Sequence, residues 1–244
     1  MFFEDLRRHI SSRRLFDLDT LVRIGALDAD TQRDRAARVR DLYRWRQGGK
    51  VIGWRRNLYS IAPRYGGPEI DPLELACAVH HPGYVSLGTA LMHRGVLDPS
   101  RLETSGRDTT PGFGPRRAAM HIASLDPPEV VSVVGTGHSG TTATPLGEIR
   151  RHRIRPELLW GYTEVAAGGA AAGGAVRVAL PHKALIDLWY LWPRGWTPYT
   201  YEALQLRVDL IDFDALDRAL STFAAPQSMR RSLHALLLFT GYIA

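Results

Sequence analysis

The first quarter of the chain carries a succession of helical patterns that ends in a tight hairpin. Apolar side chains recur at helical spacing in residues 2–12 and again near Asp19–Gly25. A third and longer pattern covers residues 31–47 and is ended by Gly48-Gly49. Two short apolar runs then flank the segment 55–57 (RRN), and because asparagine tolerates positive φ, this segment predicts a two-stranded hairpin.

Helix, helix, longer helix and hairpin is the order of a winged helix-turn-helix domain, in which the third helix enters the major groove of DNA. We therefore predict an α+β protein that begins with such a domain over residues 1–63. The stretch PRYGGPEID, residues 63–71, is rich in proline and glycine and is typical of a linker. We assign residues 71–244 to a second domain of mixed α+β structure, because its predicted elements show no clear βαβ repeat.

The elements of the second domain are predicted from turn residues and apolar periodicity. Asp71 and Ser86 are suited to cap two helices, and Gly95 is suited to close the second one. Helices are predicted over residues 72–79, 87–94, 181–191, 213–223 and 226–242. Strands are predicted near residues 130–134, 148–154, 158–165 and 176–179. Residues 166–175, which are all alanine or glycine, are typical of a flexible loop.

The positive charge of the chain is concentrated in the predicted first domain. Residues 1–62 contain 14 Lys and Arg against 8 Asp and Glu, whereas the remainder contains 17 of each sign. A basic surface confined to one domain is typical of a polyanion binder, with nucleic acid ahead of a membrane surface or an acidic protein. A merely solvated charged face is the alternative interpretation. We predict double-stranded DNA as the partner.

The segment from the third helix to the hairpin holds nine basic residues and two acidic ones, whereas a helix selected only for solubility more often mixes the two signs. The predicted DNA-contacting residues are Arg33, Arg35, Arg38, Arg40, Arg44, Arg46, Lys50, Arg55 and Arg56. Projection at 100° per residue gives an apolar face, expected to pack on the core, that consists of Ala36, Val39, Leu42 and Tyr43. A basic stripe, expected to contact base edges, contains Arg33, Arg40 and Arg44. We expect Arg55 and Arg56 to contact phosphate or the minor groove.

Several kinds of chemistry are disfavoured by the sequence. The single cysteine, Cys77, excludes an intramolecular disulfide and a thiolate zinc cluster, and the spacing of the nine histidines is not a metal signature. No opening segment resembles a signal peptide, and no apolar stretch approaches the ~20 residues that span a bilayer. We expect a cytoplasmic protein that does not associate with membranes, contains no metal or cofactor, and is not an enzyme.

Three smaller patterns contain residue types that occur in catalytic or cofactor-binding sites. Gly135-x-Gly137-x-x-Gly140 gives half of a dinucleotide-binding fingerprint, but the TTATP that follows opposes a helix, so we interpret it as a loop between strands. Ser86 and His93 stand about 10 Å apart along one helix, too far for a nucleophile and its base. Lys183 and Asp187 are spaced as an i,i+4 pair, which we interpret first as an ordinary surface ion pair and otherwise as a structural or partner-facing pair.

Four segments, in order, resemble the AbiEi family of antitoxins. They are residues 58–61 (LYSI), 82–95 (PGYVSLGTALMHRG), 147–162 (GEIRRHRIRPELLWGY) and 179–188 (ALPHKALIDL). The motif residues identified in this way are Tyr84, Ser86, His93, Gly95, Gly161, Tyr162, Pro181, Lys183 and Asp187. His182 departs from the family, whose members usually have glutamate at this position, and so no role is carried over to it.

The resemblance implies two activities that belong to type IV toxin–antitoxin systems. The winged helix-turn-helix domain would repress the protein's own operon, and the second domain would neutralise a nucleotidyltransferase-type toxin from the adjacent gene. Two other functions stay open from the residues alone. One is a freestanding winged-helix transcription regulator whose second domain binds another ligand. The other is a metal-dependent nuclease in which Glu148, Glu157 and Asp187 meet around a metal.

Overall fold

The computed structural model describes residues 3–10, 14–25, 31–98, 129–167, 175–222 and 225–242. The protein is mixed α+β, as predicted. The chain divides into two compact units, one of residues 1–79 and 166–176 and the other of residues 80–165 and 177–244. The predicted domain bounds, 1–63 and 71–244, concern independent folding and stay a prediction.

The first unit contains three helices, a hairpin and a further helix. In chain order they are α1 (Phe3–His9), α2 (Leu18–Gly25), α3 (Thr31–Gln47), β1 (Val51–Arg55), β2 (Leu58–Ile61) and α4 (Pro72–Val79). Strands β1 and β2 pair antiparallel around Arg56 and Asn57, and Asn57 has the positive φ expected of it, 64°. An isolated bridge pairs Phe16 with Tyr59 and adds a short segment to the hairpin. The predicted order of elements is therefore present.

One apolar cluster fixes these elements to each other. It consists of Phe3, Leu6, Ile10, Phe16, Leu21, Leu42, Trp45, Val51 and Ile61. Phe3 lies edge-on to Trp45, with ring centroids 5.6 Å apart, and edge-on to Tyr65 at 5.8 Å. Burial of each large side chain stabilises the fold by about 1.5–3 kcal/mol, so α3 is held firmly by the face that carries Leu42 and Trp45.

Polar contacts at the helix ends fix the hairpin and α3 further. The Asp17 carboxylate accepts hydrogen bonds from the backbone N–H and the hydroxyl of Thr20, both at 2.7 Å, and thereby caps α2. The Asn57 side chain accepts a hydrogen bond from the Leu18 N–H at 2.9 Å, which joins the hairpin turn to the start of α2. At the other end of the unit, Arg64 donates to the Gly49 carbonyl just beyond α3, at 3.0 Å.

The second unit is built on a six-stranded mixed sheet of order β5-β6-β4-β3-β8-β7. Its strands are β3 (Gly83–Val85), β4 (Val130–Gly135), β5 (Gly140–Thr144), β6 (Gly147–Arg153), β7 (Tyr162–Ala166) and β8 (Ala175–Ala179). The pairs β4/β6 and β3/β8 are parallel, whereas β3/β4 and β5/β6 are antiparallel.

Three of the four predicted strands are confirmed as β4, β6 and β8. The strand predicted over residues 158–165 begins only at Tyr162, because a 3₁₀ turn occupies Pro156–Leu158. Strands β3 and β5 were not predicted. The segment Gly135-x-Gly137-x-x-Gly140 forms the loop between strands β4 and β5, as interpreted from the sequence. Most of the predicted flexible loop, residues 168–174, lies outside the described residues.

The helices of the second unit are α5 (Leu87–His93), α6 (Pro181–Leu191), α7 (Pro198–Leu204), α8 (Phe213–Thr222) and α9 (Gln227–Thr240). Helix α6 packs against α5, α8 and α9, and each of its residues from Lys183 to Trp189 is buried. Helix α7 was not predicted; Thr197 and Thr200 form a capping box at its start. None of the described helices is long and apolar enough to cross a membrane.

Candidate functional site

The solvent-exposed face of α3 is not the one that the helical projection predicted. Val39 and Tyr43, expected in the core, are 49% and 64% exposed. Leu42 faces the core as predicted, but Ala36 is exposed, and Trp45 and Asp41 lie beside Leu42 on the buried side. Around the helix, Val39 and Tyr43 lie on one flank of Leu42 and Trp45 lies on the other. The projection was wrong because burial of the large aromatic side chain of Trp45 determines which flank packs on the core.

A buried ion pair explains why the core-facing side of α3 can also contain charged residues. The Asp41 carboxylate accepts hydrogen bonds from Arg38, at 3.0 Å, and from Arg44. Arg38 is only 11% exposed in its side chain, whereas Arg44 is 72% exposed. Arg38 therefore compensates the charge of Asp41 inside the fold, and its DNA-contacting role stays a prediction that this burial does not favour. Arg44 stays available at the surface.

Three further basic residues of the predicted set have contacts within the first unit. Arg35 pairs with Asp19 of α2 at 2.6 Å, with both side chains about half exposed. The Lys50 ammonium lies over the rings of Phe3 and Tyr65, 5.1 and 5.9 Å from their centroids. The Arg46 guanidinium lies against Gly53 of β1, where an added Cβ would stand 2.9 Å from Nε. Lys50 and Arg46 thus link α3 to its neighbours through packing.

The remaining members of the set include three exposed cations. Arg40 on α3, Arg55 at the end of β1 and Arg56 in the turn are exposed and form no ion pair with any residue that the structure describes. The side chain of Arg33 lies outside the described residues. Arg40, Arg55 and Arg56 therefore have exposed guanidinium groups without a described ion pair, Arg44 has an exposed one that also binds Asp41, and the DNA-contacting role of the whole set stays a prediction.

We define the outer face of α3 as Ala36, Val39, Arg40, Tyr43, Arg44 and Gln47. These positions recur every three or four residues and lie on the side of the helix opposite Leu42 and Trp45. The outer face exposes two apolar side chains between guanidinium groups, and the neighbouring Asp41 is buried and paired. Guanidinium groups suit guanine edges and phosphates, and apolar groups suit the methyl group of thymine, so the face has the chemistry of a helix in a major groove.

A second polar arrangement lies inside the second unit. Lys183 and Asp187 are both fully buried, so their interpretation as a surface ion pair is wrong. The Asp187 carboxylate accepts hydrogen bonds from the Lys183 ammonium, from the Tyr84 hydroxyl at 3.0 Å and from the Ser86 hydroxyl at 2.7 Å. Ser86 does precede α5, but its hydroxyl makes no capping hydrogen bond and donates to Asp187 instead. We call these four residues the buried polar cluster.

Aromatic rings and a glycine close the space around the Lys183 side chain. Its Nζ atom lies 5.0 Å from the ring centroid of Trp160 and 5.5 Å from that of Tyr84, which stacks on Tyr162. Gly161 has a φ of 71°, and a Cβ there would stand 2.9 Å from Lys183 Cγ. Only glycine suits this position, because it combines left-handed backbone with close approach of the lysine stem.

Six of the nine motif residues therefore converge on the buried polar cluster and its walls. The other three have local roles in the backbone. Gly95, with a φ of 70°, follows the end of α5, Pro181 is the first residue of α6, and His93 is the last residue of α5. Arg94, which the sequence did not single out, donates to the Val178 and Ala179 carbonyls of β8 at 2.9 and 3.2 Å.

The electrostatics of the buried polar cluster favour a structural role. Burial lowers the pKa of Lys183 and raises that of Asp187, and the hydrogen bonds to the carboxylate oppose both changes. Burial, together with the neighbouring Asp187, also raises the pKa of Tyr84, which keeps its hydroxyl protonated as a donor. Because Lys183 and Asp187 are both fully buried, neither can reach a substrate in this conformation.

The carboxylates considered for a nuclease are not assembled into one site. Asp187 is engaged in the buried polar cluster, and Glu148 pairs with Arg150 at 2.8 Å. Within the part of the chain that the structure describes, no group of three His, Cys, Asp or Glu side chains could hold a metal ion. The nuclease alternative therefore has no geometric support among these residues.

His152 on β6 gives the second unit a testable dependence on pH. Burial, with a smaller effect of Arg150, lowers its pKa from 6.5 to about 4, and its ring lies edge-on to Trp192 at 5.3 Å. Because the folded state favours neutral imidazole, the stabilisation is present above pH 6.5 and is lost as the pH falls toward 4. We expect His152→Gln to flatten the pH dependence of urea unfolding in that window. The exposed His138→Gln should not, and a slope unchanged by His152→Gln would contradict the prediction.

Comparison of the chain with protein-family models gives no match, and neither does comparison with curated proteins. Membership of a family is therefore not shown for this chain. The resemblance stated from its motifs supplies a functional hypothesis, which must be tested through the residues themselves.

Proposed function

We propose that the first unit binds double-stranded DNA as a winged helix-turn-helix domain. Helix α3 enters the major groove through its outer face, and the β1–β2 hairpin is the wing that contacts the DNA backbone. One observation carries the proposal: the outer face exposes Arg40, Arg44 and two apolar side chains on the side of α3 that the core leaves open. Val39 and Tyr43 form a small exposed apolar surface beside Arg40, which forms no ion pair with any described residue, and beside Arg44, which also binds Asp41.

The way in which α3 is held supports this role. Leu42 and Trp45 are anchored in the core. Just beyond the end of the helix, Arg64 donates to the Gly49 carbonyl and Lys50 lies over the Phe3 ring. The hairpin turn is attached to α2 through Asn57, so the wing has a defined position within the unit. A rigid, preformed surface binds DNA with less loss of conformational entropy than a flexible basic segment.

The proposal predicts that DNA affinity depends strongly on salt concentration. It also predicts that the wing arginines account for a definite part of this dependence. If about six phosphates are neutralised, log affinity falls with log salt at a slope of about −5. Since Arg55 and Arg56 are exposed wing residues, we expect Arg55→Gln/Arg56→Gln to reduce the slope by about 2 and to weaken all DNA sequences alike. Fluorescence anisotropy with full-length protein at several salt concentrations measures this effect.

A matched control is available in the second unit, where Arg230 and Arg231 are also adjacent and exposed. The variant Arg230→Gln/Arg231→Gln removes the same charge from α9 and should leave the slope unchanged. Equal reductions in both double variants would show that net charge, and not the wing, determines binding.

We further propose that the protein is the cytoplasmic antitoxin of a type IV pair, in which DNA binding represses its own operon. The second unit would then support neutralisation of a nucleotidyltransferase-type toxin from the adjacent gene. The observation that favours this is the convergence on one buried polar cluster of five residues that the family resemblance identifies, Tyr84, Ser86, Gly161, Lys183 and Asp187.

Co-expression with the adjacent gene product, scored by growth, tests the antitoxin proposal. Rescue of growth by this chain would support it. Repression of the operon without any rescue would favour the freestanding transcription regulator instead.

A further inference from the structure

We propose that Val39 and Tyr43 determine the DNA sequence preference of α3 by packing against thymine methyl groups in the major groove. This inference rests on the proposed DNA binding and assigns the apolar half of the outer face, which the sequence had placed in the core. Its ligand is the C5 methyl group of thymine, the one apolar group that base edges present in the major groove.

Val39 and Tyr43 are exposed and belong neither to the apolar cluster of the first unit nor to the side chains packed against it. Among the described residues, the large apolar side chains that are exposed are Val39, Tyr43, Leu146, Tyr199, Leu210, Leu238 and Tyr242. Two of the seven thus lie one turn apart on one short stretch of α3. Valine is also a weaker helix former than alanine, so Val39 does not serve the stability of an exposed helix.

The charges around the pair indicate DNA as its occupant. Arg40 follows Val39 and Arg44 follows Tyr43, and both guanidinium groups are exposed. The one described acidic residue within this stretch, Asp41, is buried between Arg38 and Arg44. An apolar protein surface would have to bury the Arg40 guanidinium group without a partner, at a large cost, whereas a major groove offers methyl groups beside phosphates and guanine acceptors.

The spacing of the pair predicts the arrangement of its targets. Four residues of α-helix rise about 6 Å, and successive base pairs of DNA are about 3.4 Å apart. Val39 and Tyr43 therefore match thymines about two base pairs apart. Arg40, which lies beside both side chains, is placed to contact a guanine within the same few base pairs.

Replacement of thymine by deoxyuridine tests this proposal, because it removes the methyl group and leaves the base pairing intact. Full-length protein is first used to select duplexes from a randomised double-stranded DNA library. Each thymine of a selected duplex is then replaced in turn, and affinity is measured by fluorescence anisotropy. We expect about a fourfold loss for each contacted methyl group, the effect of burying one methyl-sized apolar group.

The variants connect that loss to the two side chains. Val39→Ala should weaken binding to the thymine duplex and lose sensitivity to deoxyuridine at one position, and Tyr43→Ala should do so at another. Val39→Thr keeps a methyl group at the same branch and should retain part of the sensitivity. Tyr199→Ala removes a tyrosine of equal exposure, 64%, from α7 of the second unit and should behave like the unmodified protein.

The outcomes separate this inference from the proposed function. If selected duplexes bind tightly but no deoxyuridine substitution changes affinity, or if both alanine variants stay as sensitive as the unmodified protein, the methyl contacts are refuted and DNA binding stands. If the protein binds random duplex DNA but enriches no sequence, the sequence preference fails and DNA binding stands; if it binds no duplex DNA at all, the proposed function itself fails. Because Val39 and Tyr43 are exposed, both variants should keep the thermal midpoint of the unmodified protein, which confirms that they are folded.

Discussion

Replacing Asp187 by alanine is expected to lower the free energy of unfolding by about 3–5 kcal/mol at pH 7. The substitution leaves the Lys183 ammonium in a fully buried site, where it must either lie without a counter-ion or lose its proton. Deprotonation at pH 7 of a lysine whose ordinary pKa is 10.5 costs about 5 kcal/mol, which limits the part of the loss that comes from the buried charge. Urea unfolding of full-length protein measures the difference.

The same reasoning predicts how the loss changes with pH. With Asp187 absent, the folded state holds Lys183 neutral, whereas the unfolded state keeps it protonated up to its ordinary pKa. Stability of Asp187→Ala should therefore recover by about 1.4 kcal/mol for each unit that the pH rises from 7 to 9. A loss that does not shrink with pH would mean that removal of side-chain volume, and not the buried ammonium, causes the destabilisation.

Two comparison variants isolate the buried charge. Lys183→Met/Asp187→Leu removes both charges and keeps apolar volume, so it should be less destabilised than Asp187→Ala alone and should show no recovery with pH. Asp209→Ala breaks the exposed pair with Arg207 and should leave the unfolding curve unchanged. Equal losses in the single and double variants would contradict the role assigned to Lys183.

The buried polar cluster shows what a sequence can and cannot reveal about such a pair. The spacing of Lys183 and Asp187 is visible, but their burial depends on Tyr84 and Ser86, about a hundred residues earlier in the chain. One local signal was available. The residues of α6 between Lys183 and Asp187 and those after Asp187 are apolar on all sides of the helix. A helix that is apolar on all sides is buried, so a charged side chain inside it must be paired.

For helix α3, the position along the chain was predictable, but the side that packs on the core was not. Its bounds, the hairpin that follows and the positive φ of Asn57 were predictable, because caps, glycine pairs and turn residues act locally. Its orientation was not, since apolar side chains occur on both sides and the choice is made by packing of Trp45 against Phe3. A buried Arg38–Asp41 pair then occupies positions that periodicity assigns to solvent.

The extent of the first unit bears on any truncation. Arg14 pairs at 2.9 Å with Glu74 of α4, and both side chains are largely buried. A fragment that ends at the predicted linker, near Pro63, would leave Arg14 without this carboxylate. A fragment that ends after Val79 keeps the pair and is the better choice for isolating DNA binding.

The largest functional effect is expected from the outer face of α3, where Arg40→Ala/Arg44→Ala should abolish repression. Each arginine that contacts a base contributes ~1–3 kcal/mol, so loss of two lowers operator affinity by about 30-fold or more. Toxin neutralisation should be retained, because the second unit is unchanged. A promoter-reporter assay and a growth-rescue assay on the same variant, with expression checked, measure the two activities.

The reverse variant completes the separation of function. Residues 1–79 alone, shown to be folded by circular dichroism, should retain repression and fail to rescue growth, since the motif residues that the resemblance identified all lie beyond Val79. The rest of the chain beyond residue 62 has equal numbers of acidic and basic residues and gains no long-range attraction to DNA.

Arg230→Ala/Arg231→Ala, the charge-matched control, should keep both activities. Rescue by residues 1–79, or failure of rescue by Arg40→Ala/Arg44→Ala, would show that one surface serves both activities and that the division of roles is wrong.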